Sequence, residues 1–594
     1  MNVNEKINLL RNMMKNHGLS AYVIPSSDAH LSEYVATHWQ GRAYMSGFTG
    51  SAGTLVITLD ESGLFTDGRY FIQAENELKG SEVKLFKMAQ PGVPTINEYL
   101  VSVLNEGDTV GFDGKVLSVA TVKEMKKAFE AKHLKLKVDE DLLDSVWENR
   151  PAIPSTDVFV HETQYTGYSC HEKLSIVREE MKKISANGYV LTALGSIAWL
   201  FNVRGDDILF NPLVVSYGLV LENEAYLFVD NHRLSEDVKT YLTENGVTLK
   251  DYAQIDEVLN QLSGSILCPV DSMNYYLYDI LTKKQEVTVI DGHDIVNELK
   301  AVKNKVEIEN THNAQVKDSV ALVGAVCEIY EKLDSEAGLT EFDVREILEV
   351  HRSRQPLNYG SSFGAIVAYG ANAAMMHYNP TKENCTKLDK KGFLLIDSGG
   401  QYLDGTTDIT RTFVLGELTD EEKLHYTLVL KGHINLCKAV FQKGCTGGNL
   451  DILARQPIWE YGLDYRCGTG HGVSYFGGVH EGPQGFRLTQ TVPLKPGMMI
   501  TNEPGIYEEG RHGIRIENTL LVVERNATEY GEFYEFETIS YFPIDTRAVD
   551  VTLMTESELA WLNQYHQKVL DVLSPNLEGR ELEWLVEQIK PLTK

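Results

Sequence analysis

Residues 393–414 read FLLIDSGGQYLDGTTDITRTFV, and this stretch decides how the last third of the chain folds. Two apolar runs flank a glycine-containing bend, and an aspartate lies at the inner end of each run, at Asp397 and Asp408. The pattern predicts two adjacent strands that direct both carboxylates into one pocket. Each aspartate alone has a simpler explanation: Asp397 suits a turn before Ser-Gly, and Asp408 could pair with Arg411.

Three more side chains of metal-ligand type follow: His471 in GTGHGVS, Glu503 in TNEPGIY and Glu517 in GIRIENT. Arg515 would share a strand face with Glu517, so a surface Arg–Glu pair is the alternative there. Four carboxylates and an imidazole on one surface would repel one another and raise the carboxyl pKa values unless cations neutralise them. Two divalent ions would do this, and such a pair can activate a hydroxide. The five residues therefore predict a two-metal hydrolytic site.

The bulk composition limits the class of protein. With 594 residues the chain is too long for one hydrophobic core, which favours roughly three to four domains. Its 84 acidic against 55 basic residues give a net charge of −29, which argues against nucleic acid as a partner. No apolar run approaches the ~18 residues of a membrane span. Seven scattered cysteines without paired spacing do not suggest a disulfide framework, so we expect a cytoplasmic protein.

The first 300 residues or so contain a repeated pattern. Residues 54–75 match residues 217–237 in their order of apolar run, acidic turn and second apolar run. This predicts two similar α/β domains, 1–150 and 151–303, with a proline-containing boundary in ENRPAIPSTD. From 304 to 594, strands and helices in mixed order predict an α+β domain with an antiparallel sheet and two amphipathic helices at its end.

The sequences around the five residues resemble those of the pita-bread metallopeptidases, a group that includes methionine aminopeptidase, prolidase and aminopeptidase P. The matching stretches occur in family order: IDSG, DGTTDITRTF, GTGHG, VHEGP, NEPG and GIRIEN. Further matches in SDAHLSEY, SGFTGSAG, TDGRYF and IAWLFNVRG make the whole chain similar to the long, three-domain cytosolic Xaa-Pro aminopeptidases. The resemblance implies two creatinase-like α/β domains followed by a pita-bread catalytic domain, assembled as a homodimer. The implied reaction removes the first residue of peptides that have proline at position two.

The resemblance also implies how the metal ions are held. Asp397 would bind one ion, Asp408 and Glu517 would bridge both, and His471 and Glu503 would complete the shell of the second ion. Relatives usually hold two Mn²⁺ ions. A donor set of carboxylates with one imidazole suits Mn²⁺ and tolerates Co²⁺ or Zn²⁺.

Further residues match catalytic and substrate-binding positions of the family. Glu503 would accept the proton of the attacking water, with His480 and His377 as further catalytic residues. The substrate would be bound by His377, His480, Arg515 and Tyr507. These roles are implied by the resemblance alone.

One position departs from the family pattern, because Cys467 in RCGTGH stands where close relatives have a histidine. That histidine is assigned to the carbonyl region of the substrate, and a thiol is a poor hydrogen-bonding substitute. We expect the departure to affect substrate positioning and not metal binding.

Two other interpretations stay open. Prolidase, an Xaa-Pro dipeptidase, shares all five ligands, but its chains usually have two domains. A non-catalytic binding protein on the same fold would have replaced several of the five ligands, and all five are present here. The extra domain and the complete ligand set favour an Xaa-Pro aminopeptidase.

Overall fold

A computed structural model describes residues 1–335 and 338–594 of the chain. They form two compact units, one of residues 1–163 and 168–297 and one of residues 164–167 and 298–594. The finer division predicted at residues 150 and 303 stays a prediction. Within the described residues, no helix combines the length and the apolar character that crossing a bilayer requires.

The first unit contains two six-stranded sheets with the same topology. In spatial order, the first consists of Lys84–Lys87, Ser62–Thr66, Thr54–Thr58, Ala21–Pro25, Thr109–Gly111 and Lys135–Lys137. The second consists of Val247–Lys250, Ala225–Phe228, Tyr217–Leu221, Gly188–Leu191, Gly264–Pro269 and Val287–Gly292. In both sheets the second and third, and the third and fourth, strands pair antiparallel, and the other neighbours pair parallel. The predicted duplication is confirmed.

Helices flank these sheets, and a short antiparallel pair joins Phe159–Val160 to Val203–Arg204. The first helix, Val3–Asn16, begins with a capping box between Asn2 and Glu5 and buries one apolar side, as its sequence pattern predicts. The other α-helices up to residue 301 are Gly41–Ser46, Phe71–Glu77, Ile96–Val103, Val119–Phe129, Leu143–Val146, Thr163–Thr166, Cys170–Lys183, Leu194–Phe201, Glu236–Glu244, Ile255–Leu259, Tyr275–Thr282 and Ile295–Ala301.

The second unit is built on antiparallel sheets, as predicted. Its largest sheet consists, in spatial order, of Val440–Gln442, Gly531–Thr538, Asn518–Thr528, Met499–Asn502, Gly470–Gly472 and Glu481–Phe486. Two three-stranded sheets consist of Ile366–Tyr369, Phe393–Ser398 and Ile409–Val414, and of Asn358–Ser361, Gly400–Tyr402 and Gly405–Thr406. A hairpin joins Gly505–Glu508 to His512–Arg515. Its helices are Lys305–Asp334, Glu341–Ser353, Asp420–Cys437, Gly447–Trp459, Glu556–Leu573 and Gly579–Gln588.

The helix Asp420–Cys437 forms the centre of this unit. Thr419 caps its first turn in a capping box with Glu422. Most of the residues after the first turn are buried, including Tyr426 and His433. A helix that is buried on nearly all sides belongs to the core, and this one contacts the strands Met499–Asn502 and His512–Arg515, which lead to Glu503 and Glu517.

Candidate metal centre

The five predicted ligands all lie at strand ends of the second unit. Three of them converge closely, because one donor atom each of Asp408, His471 and Glu517 lies within 4.8 Å of the others. Nε2 of His471 is 3.4 Å from Oδ2 of Asp408 and 3.4 Å from Oε1 of Glu503. Asp397 lies near this group, because its negative charge contributes to the raised pKa of Glu517. The structure therefore brings Asp408, His471, Glu503 and Glu517 together, with Asp397 near enough for its charge to raise the pKa of Glu517.

The hairpin quoted at the start positions two of the carboxylates. The strands Phe393–Ser398 and Ile409–Val414 pair antiparallel, with Asp397 opposite Thr410. Between them the chain folds back so tightly that a Cβ atom on Gly399 would lie 1.9 Å from the main-chain oxygen of Thr407. Only glycine fits there, and its close approach brings Asp408 beside Asp397.

A second close approach positions His471. A Cβ atom on Gly470 would lie 1.9 Å from the main-chain oxygen of Thr501, so glycine lets the two strands touch. The hydroxyl of Thr501 accepts from the main-chain N–H of His471 at 3.0 Å and donates to Oε1 of Glu503 at 3.3 Å. The main-chain N–H of Glu503 donates to the oxygen of Thr469 at 2.7 Å. Thr501 was missed in the sequence, where it reads as an ordinary strand residue.

The two arginines near the ligands do not make the simple pairs considered above. Arg411 is fully buried and donates to Asn518 and to main-chain oxygens, so it does not neutralise Asp408. Arg515 pairs through Nη2 with Oδ2 of Asp397 at 2.6 Å and is buried, which rules out a surface pair with Glu517. Both alternative explanations are wrong.

Thr410 supports Glu517 and was also missed. Its hydroxyl donates to Oε2 of Glu517 at 2.7 Å and accepts from Nε of Arg515 at 3.2 Å. The main-chain N–H of Glu517 donates to the oxygen of Thr410 at 3.1 Å. The signal was present in the sequence, because Thr410 lies two residues after Asp408 and so shares its strand face.

Burial and mutual repulsion shift the pKa values of this cluster. Burial, with the charges of Asp408 and Glu503, raises the pKa of Asp397 to about 6 against the opposing effect of Arg515. Burial and the same neighbouring carboxylates raise the pKa of Glu517 well above its ordinary value. Burial acts to lower the pKa of His471, but contact with Asp408 and the charge of Glu503 raise it to about 9.

These shifts fit a site for cations. The cluster holds protons where it would otherwise hold excess negative charge, and Oδ1 of Asp397 is buried without a hydrogen-bond partner in residues 1–335 and 338–594. Carboxylate oxygens with one imidazole nitrogen are the donors that divalent transition metals accept. The residues present therefore fit a metal centre.

Three of the four predicted substrate-binding residues connect to this cluster, namely His480, Arg515 and Tyr507. The ring of His480 lies 4.2 Å from that of His471 at 80°. Nη1 of Arg515 donates to the hydroxyl of Tyr507 at 2.8 Å, and its Nη2 lies 3.4 Å from the main-chain oxygen of Met376, the neighbour of His377. Arg515 thus connects the predicted ligand Asp397 with Tyr507 and with the main chain next to His377.

Buried polar residues far away in sequence hold the segments of these histidines. Glu341, fully buried at the start of a helix, accepts from Tyr369, Asn372, Tyr378 and Thr386 and so fixes the segment around His377. Gln401, from the ligand hairpin, donates to the oxygen of Gly477 at 2.5 Å, in the loop before His480. No local pattern in the sequence could have identified either residue.

Cys467 lies half-buried beside this pocket. Its main-chain oxygen accepts from Nη2 of Arg455 at 2.8 Å, which fixes the loop that leads to His471. Its thiol is close enough to raise the pKa of Tyr507, after the larger effect of burial and against that of Arg515. All seven cysteines of the chain are free thiols.

Comparison with known proteins now decides the family. Residues 310–524 match the model of metallopeptidase family M24 and residues 532–592 its C-terminal region. Residues 6–143 and 149–307 each match the creatinase/prolidase N-terminal domain. A probable Xaa-Pro aminopeptidase P of Laccaria bicolor is 41% identical over 100% of this chain and 94% of the relative. The chain belongs to the Xaa-Pro aminopeptidases of metallopeptidase family M24.

Other relatives agree with this membership. Xaa-Pro aminopeptidase 1 of Dictyostelium discoideum is 39% identical over 99% of this chain and 97% of the relative. The crystal structure of an X-prolyl aminopeptidase from Caenorhabditis elegans, a cytosolic enzyme with a di-nuclear active site, matches with a TM-score of 0.95 and 35% identity over 100% of both chains.

The predicted fold class and enzyme class are confirmed by these matches. The chain has two creatinase-like domains followed by an M24 domain, and it is a metallo-aminopeptidase of the Xaa-Pro class. A prolidase from Pyrococcus horikoshii is 24% identical with a TM-score of 0.50 over 63% of this chain, a likeness that shows the fold alone.

Proposed function

We propose that Asp397, Asp408, His471, Glu503 and Glu517 hold two Mn²⁺ ions, and that this centre cleaves the bond before a proline at position two of a peptide. The convergence of Asp408, His471 and Glu517 within 4.8 Å, with Glu503 in contact with His471, is the observation that carries the proposal. The di-nuclear site of the Caenorhabditis elegans relative supports it.

The ligands divide between the two ions. Asp397 would hold one ion, Asp408 and Glu517 would be shared by both, and His471 and Glu503 would complete the coordination shell of the second ion. When bound, such ions supply a hydroxide at neutral pH and polarise the scissile carbonyl. Carboxylates dominate this donor set, which favours Mn²⁺, with Co²⁺ or Zn²⁺ as substitutes.

The protein side chains move the protons. Glu503 accepts the proton of the attacking water and returns it to the departing prolyl nitrogen, which has no hydrogen of its own in the peptide. Its carboxylate is oriented for this by the hydroxyl of Thr501 at 3.3 Å. His480, next to His471, and His377 are the further catalytic groups, and they donate to the substrate carbonyl as negative charge develops there.

The same surroundings orient the peptide. His377, His480, Arg515 and Tyr507 line the proline side of the scissile bond. Arg515 and Tyr507 are held to each other at 2.8 Å, which gives the substrate a fixed hydroxyl donor. Cys467 takes the position of a histidine in relatives, so one hydrogen bond to the substrate is weakened while the metal ligands are unchanged.

The proposal is tested with a peptide that begins Arg-Pro-Pro. After chelation and dialysis, the protein is expected to be inactive, and Mn²⁺ restores release of the N-terminal arginine. We expect Co²⁺ and Zn²⁺ to restore less of this activity than Mn²⁺ does. Activity that survives complete removal of metal would contradict the two-metal site.

Chain length of the substrate separates this activity from that of a prolidase. We expect an Xaa-Pro-Yaa tripeptide to be cleaved with a higher kcat/KM than the Xaa-Pro dipeptide made from the same residues. A preference for the dipeptide would assign the chain to the dipeptidases instead.

We also propose that the chain works as a homodimer. The helix Gly447–Trp459 leaves Ile452 and Trp459 exposed on one face, seven residues apart, and Tyr461 is exposed just beyond its end. Trp459 and Tyr461 are 40% and 49% exposed, which is costly for large aromatic side chains of a monomer. A two-fold contact between two copies of this face would bury them.

Replacing Trp459 by glutamate is expected to shift the protein from dimer to monomer in sedimentation velocity, because a charge would be desolvated at the centre of the contact. Tyr530→Glu is the matched control, since Tyr530 is 76% exposed elsewhere on the same unit. An unchanged mass for Trp459→Glu, or an equal shift for the control, would reject this face as the dimer contact.

We propose a cytoplasmic location and peptides with an N-terminal Xaa-Pro as the partners, with no nucleic acid or membrane among them. The cytosolic relative from Caenorhabditis elegans, the seven free thiols and the net charge of −29 support these assignments.

A further inference from the structure

His433 is a fully buried histidine outside the proposed ligand set. It lies on the helix Asp420–Cys437. Its Nδ1 is 3.1 Å from the main-chain oxygen of Asn502, and its Nε2 is 3.0 Å from Nδ2 of Asn518. The side chain of Asn502 in turn donates to the main-chain oxygen of His433 at 2.9 Å. The imidazole is thus connected to two strands at once.

These contacts define one tautomer. A carbonyl oxygen can only accept, so Nδ1 carries the proton and donates to Asn502, while Nε2 accepts from the amide of Asn518. Burial, together with the charge of Arg411, lowers the pKa of His433 to about 3, and the ring stays neutral. Oδ1 of Asn518 accepts from Nη2 of Arg411 at 2.8 Å, which fixes the orientation of that amide.

The two asparagines adjoin two proposed metal ligands. Asn502 and Asn518 lie opposite each other in the register of the strands Met499–Asn502 and Asn518–Thr528. Glu503 directly follows Asn502, and Glu517 directly precedes Asn518. His433 therefore bridges the strand pair at the point where each strand leads to a ligand.

We infer that His433 is a positioning residue of the metal centre, which sets the separation of Glu503 and Glu517 by hydrogen-bonding the neighbour of each. The inference rests on the proposed ligand set and extends it to a residue that touches neither ion nor substrate. Residues that orient ligands in this way usually affect metal affinity or activity by about 10–100-fold.

The test measures Mn²⁺ affinity of the full-length chain after chelation, by following the electron paramagnetic resonance signal of free aqueous Mn²⁺. His433→Phe keeps the ring shape and removes both hydrogen bonds, and we expect affinity to fall about 10–100-fold. His433→Asn places a donor near Nδ1, and His433→Gln places an acceptor near Nε2. Each variant should recover part of the lost Mn²⁺ affinity, because each retains one of the two hydrogen bonds, to Asn502 or to Asn518.

His566→Phe is the matched control. His566 is also almost fully buried in this unit, its Nε2 accepts from the main-chain N–H of Ile544 at 3.1 Å, and its Nδ1 has no hydrogen-bond partner within residues 1–335 and 338–594. We expect it to lower thermal stability about as much as His433→Phe and to leave Mn²⁺ affinity unchanged.

The outcomes separate the inference from the function on which it rests. Wild-type protein that binds no Mn²⁺ overturns the proposed function itself. Wild-type protein that binds two ions, together with His433 variants of unchanged affinity, overturns the positioning role alone. If His433→Phe does not fold, the Asn and Gln variants decide: affinities equal to wild type in both contradict the inference.

Discussion

Asp408→Ala is expected to abolish peptide hydrolysis, with kcat/KM falling by at least about 10³-fold. Asp408 lies at the centre of the site, within 4.8 Å of donor atoms of His471 and Glu517. Losing a carboxylate that both ions would share should remove several kcal/mol of transition-state stabilisation, and each 1.4 kcal/mol corresponds to about tenfold in rate. The measurement is steady-state kinetics on an Xaa-Pro-Yaa peptide at saturating Mn²⁺, with bound metal determined on the same sample.

Asp404→Ala is the matched control for this prediction. Asp404 is a buried aspartate of the same hairpin, but it pairs with Nζ of Lys317 at 2.6 Å and is not a proposed ligand. We expect its replacement to lower stability and leave the bound metal unchanged. Retention of more than about a tenth of the wild-type activity by Asp408→Ala would contradict the assignment of Asp408 to the metal ions.

The affinity for Mn²⁺ is expected to rise by at least about 10³-fold between pH 5 and pH 8. An ion binds the deprotonated ligands, so each displaced proton changes the affinity about tenfold per pH unit below the pKa of its group. The pKa of His471 is raised to about 9 by Asp408 and Glu503 against the effect of burial. It lies above this whole window, so the ion must displace a proton from His471 at every pH between 5 and 8. Asp397, with its pKa raised by burial to about 6, adds to the change at the acidic end.

The metal-free protein is expected to respond in the opposite direction. The carboxyls of Asp397 and Glu517 hold protons in the folded state at a pH where the unfolded chain, with carboxyl pKa values near about 4, has lost them. Stability without metal therefore falls as pH rises from about 4 through 6, and falls again as His471 deprotonates between about 6.5 and 9. The gain in Tm on adding Mn²⁺ should accordingly grow with pH.

Calorimetric titrations of Mn²⁺ in two buffers with different ionisation enthalpies count the protons released. At pH 7 we expect between one and three protons to be released on Mn²⁺ binding, and the same number for Asp404→Ala. An affinity that does not change between pH 5 and pH 8, with no proton release, would contradict a centre built from these protonated groups.

The arrangement of the sheets could be predicted because the sequence pattern is local. The repeated order of apolar runs and acidic turns in the first unit corresponds to two sheets of identical topology. The two apolar runs around Asp397 and Asp408 predicted adjacent strands, and the structure pairs these strands antiparallel. In both cases the residues that determine the structure are neighbours in the chain, so spacing alone carries the information.

Around Glu503, a single strand in the sequence pattern corresponds to two strands in the structure. GMMITNEPGIY reads as one strand, whereas the structure has Met499–Asn502 and Gly505–Glu508 in different sheets. Pro504 has no N–H to continue the ladder and interrupts the strand directly after the ligand. The break lets Glu503 leave the sheet and face His471.

The partners of the charged residues could not be predicted, because they come from distant segments. Arg515 pairs with Asp397, 118 residues away, and not with its neighbour Glu517. Glu341 accepts from the hydroxyl of Tyr378, 37 residues away, and so holds the segment of His377, and His433 reaches both Asn502 and Asn518. Such contacts depend on the packing of the whole unit, and the spacing of residues within a short segment does not predict them.

The central claim is that five side chains hold two ions in one pocket. Anomalous diffraction at the manganese edge, on crystals grown with Mn²⁺, tests it most directly. We predict two anomalous peaks, with Asp408 and Glu517 bound to both, Asp397 to one, and His471 and Glu503 to the other. The absence of peaks in this pocket, or a single peak away from these residues, would contradict the account.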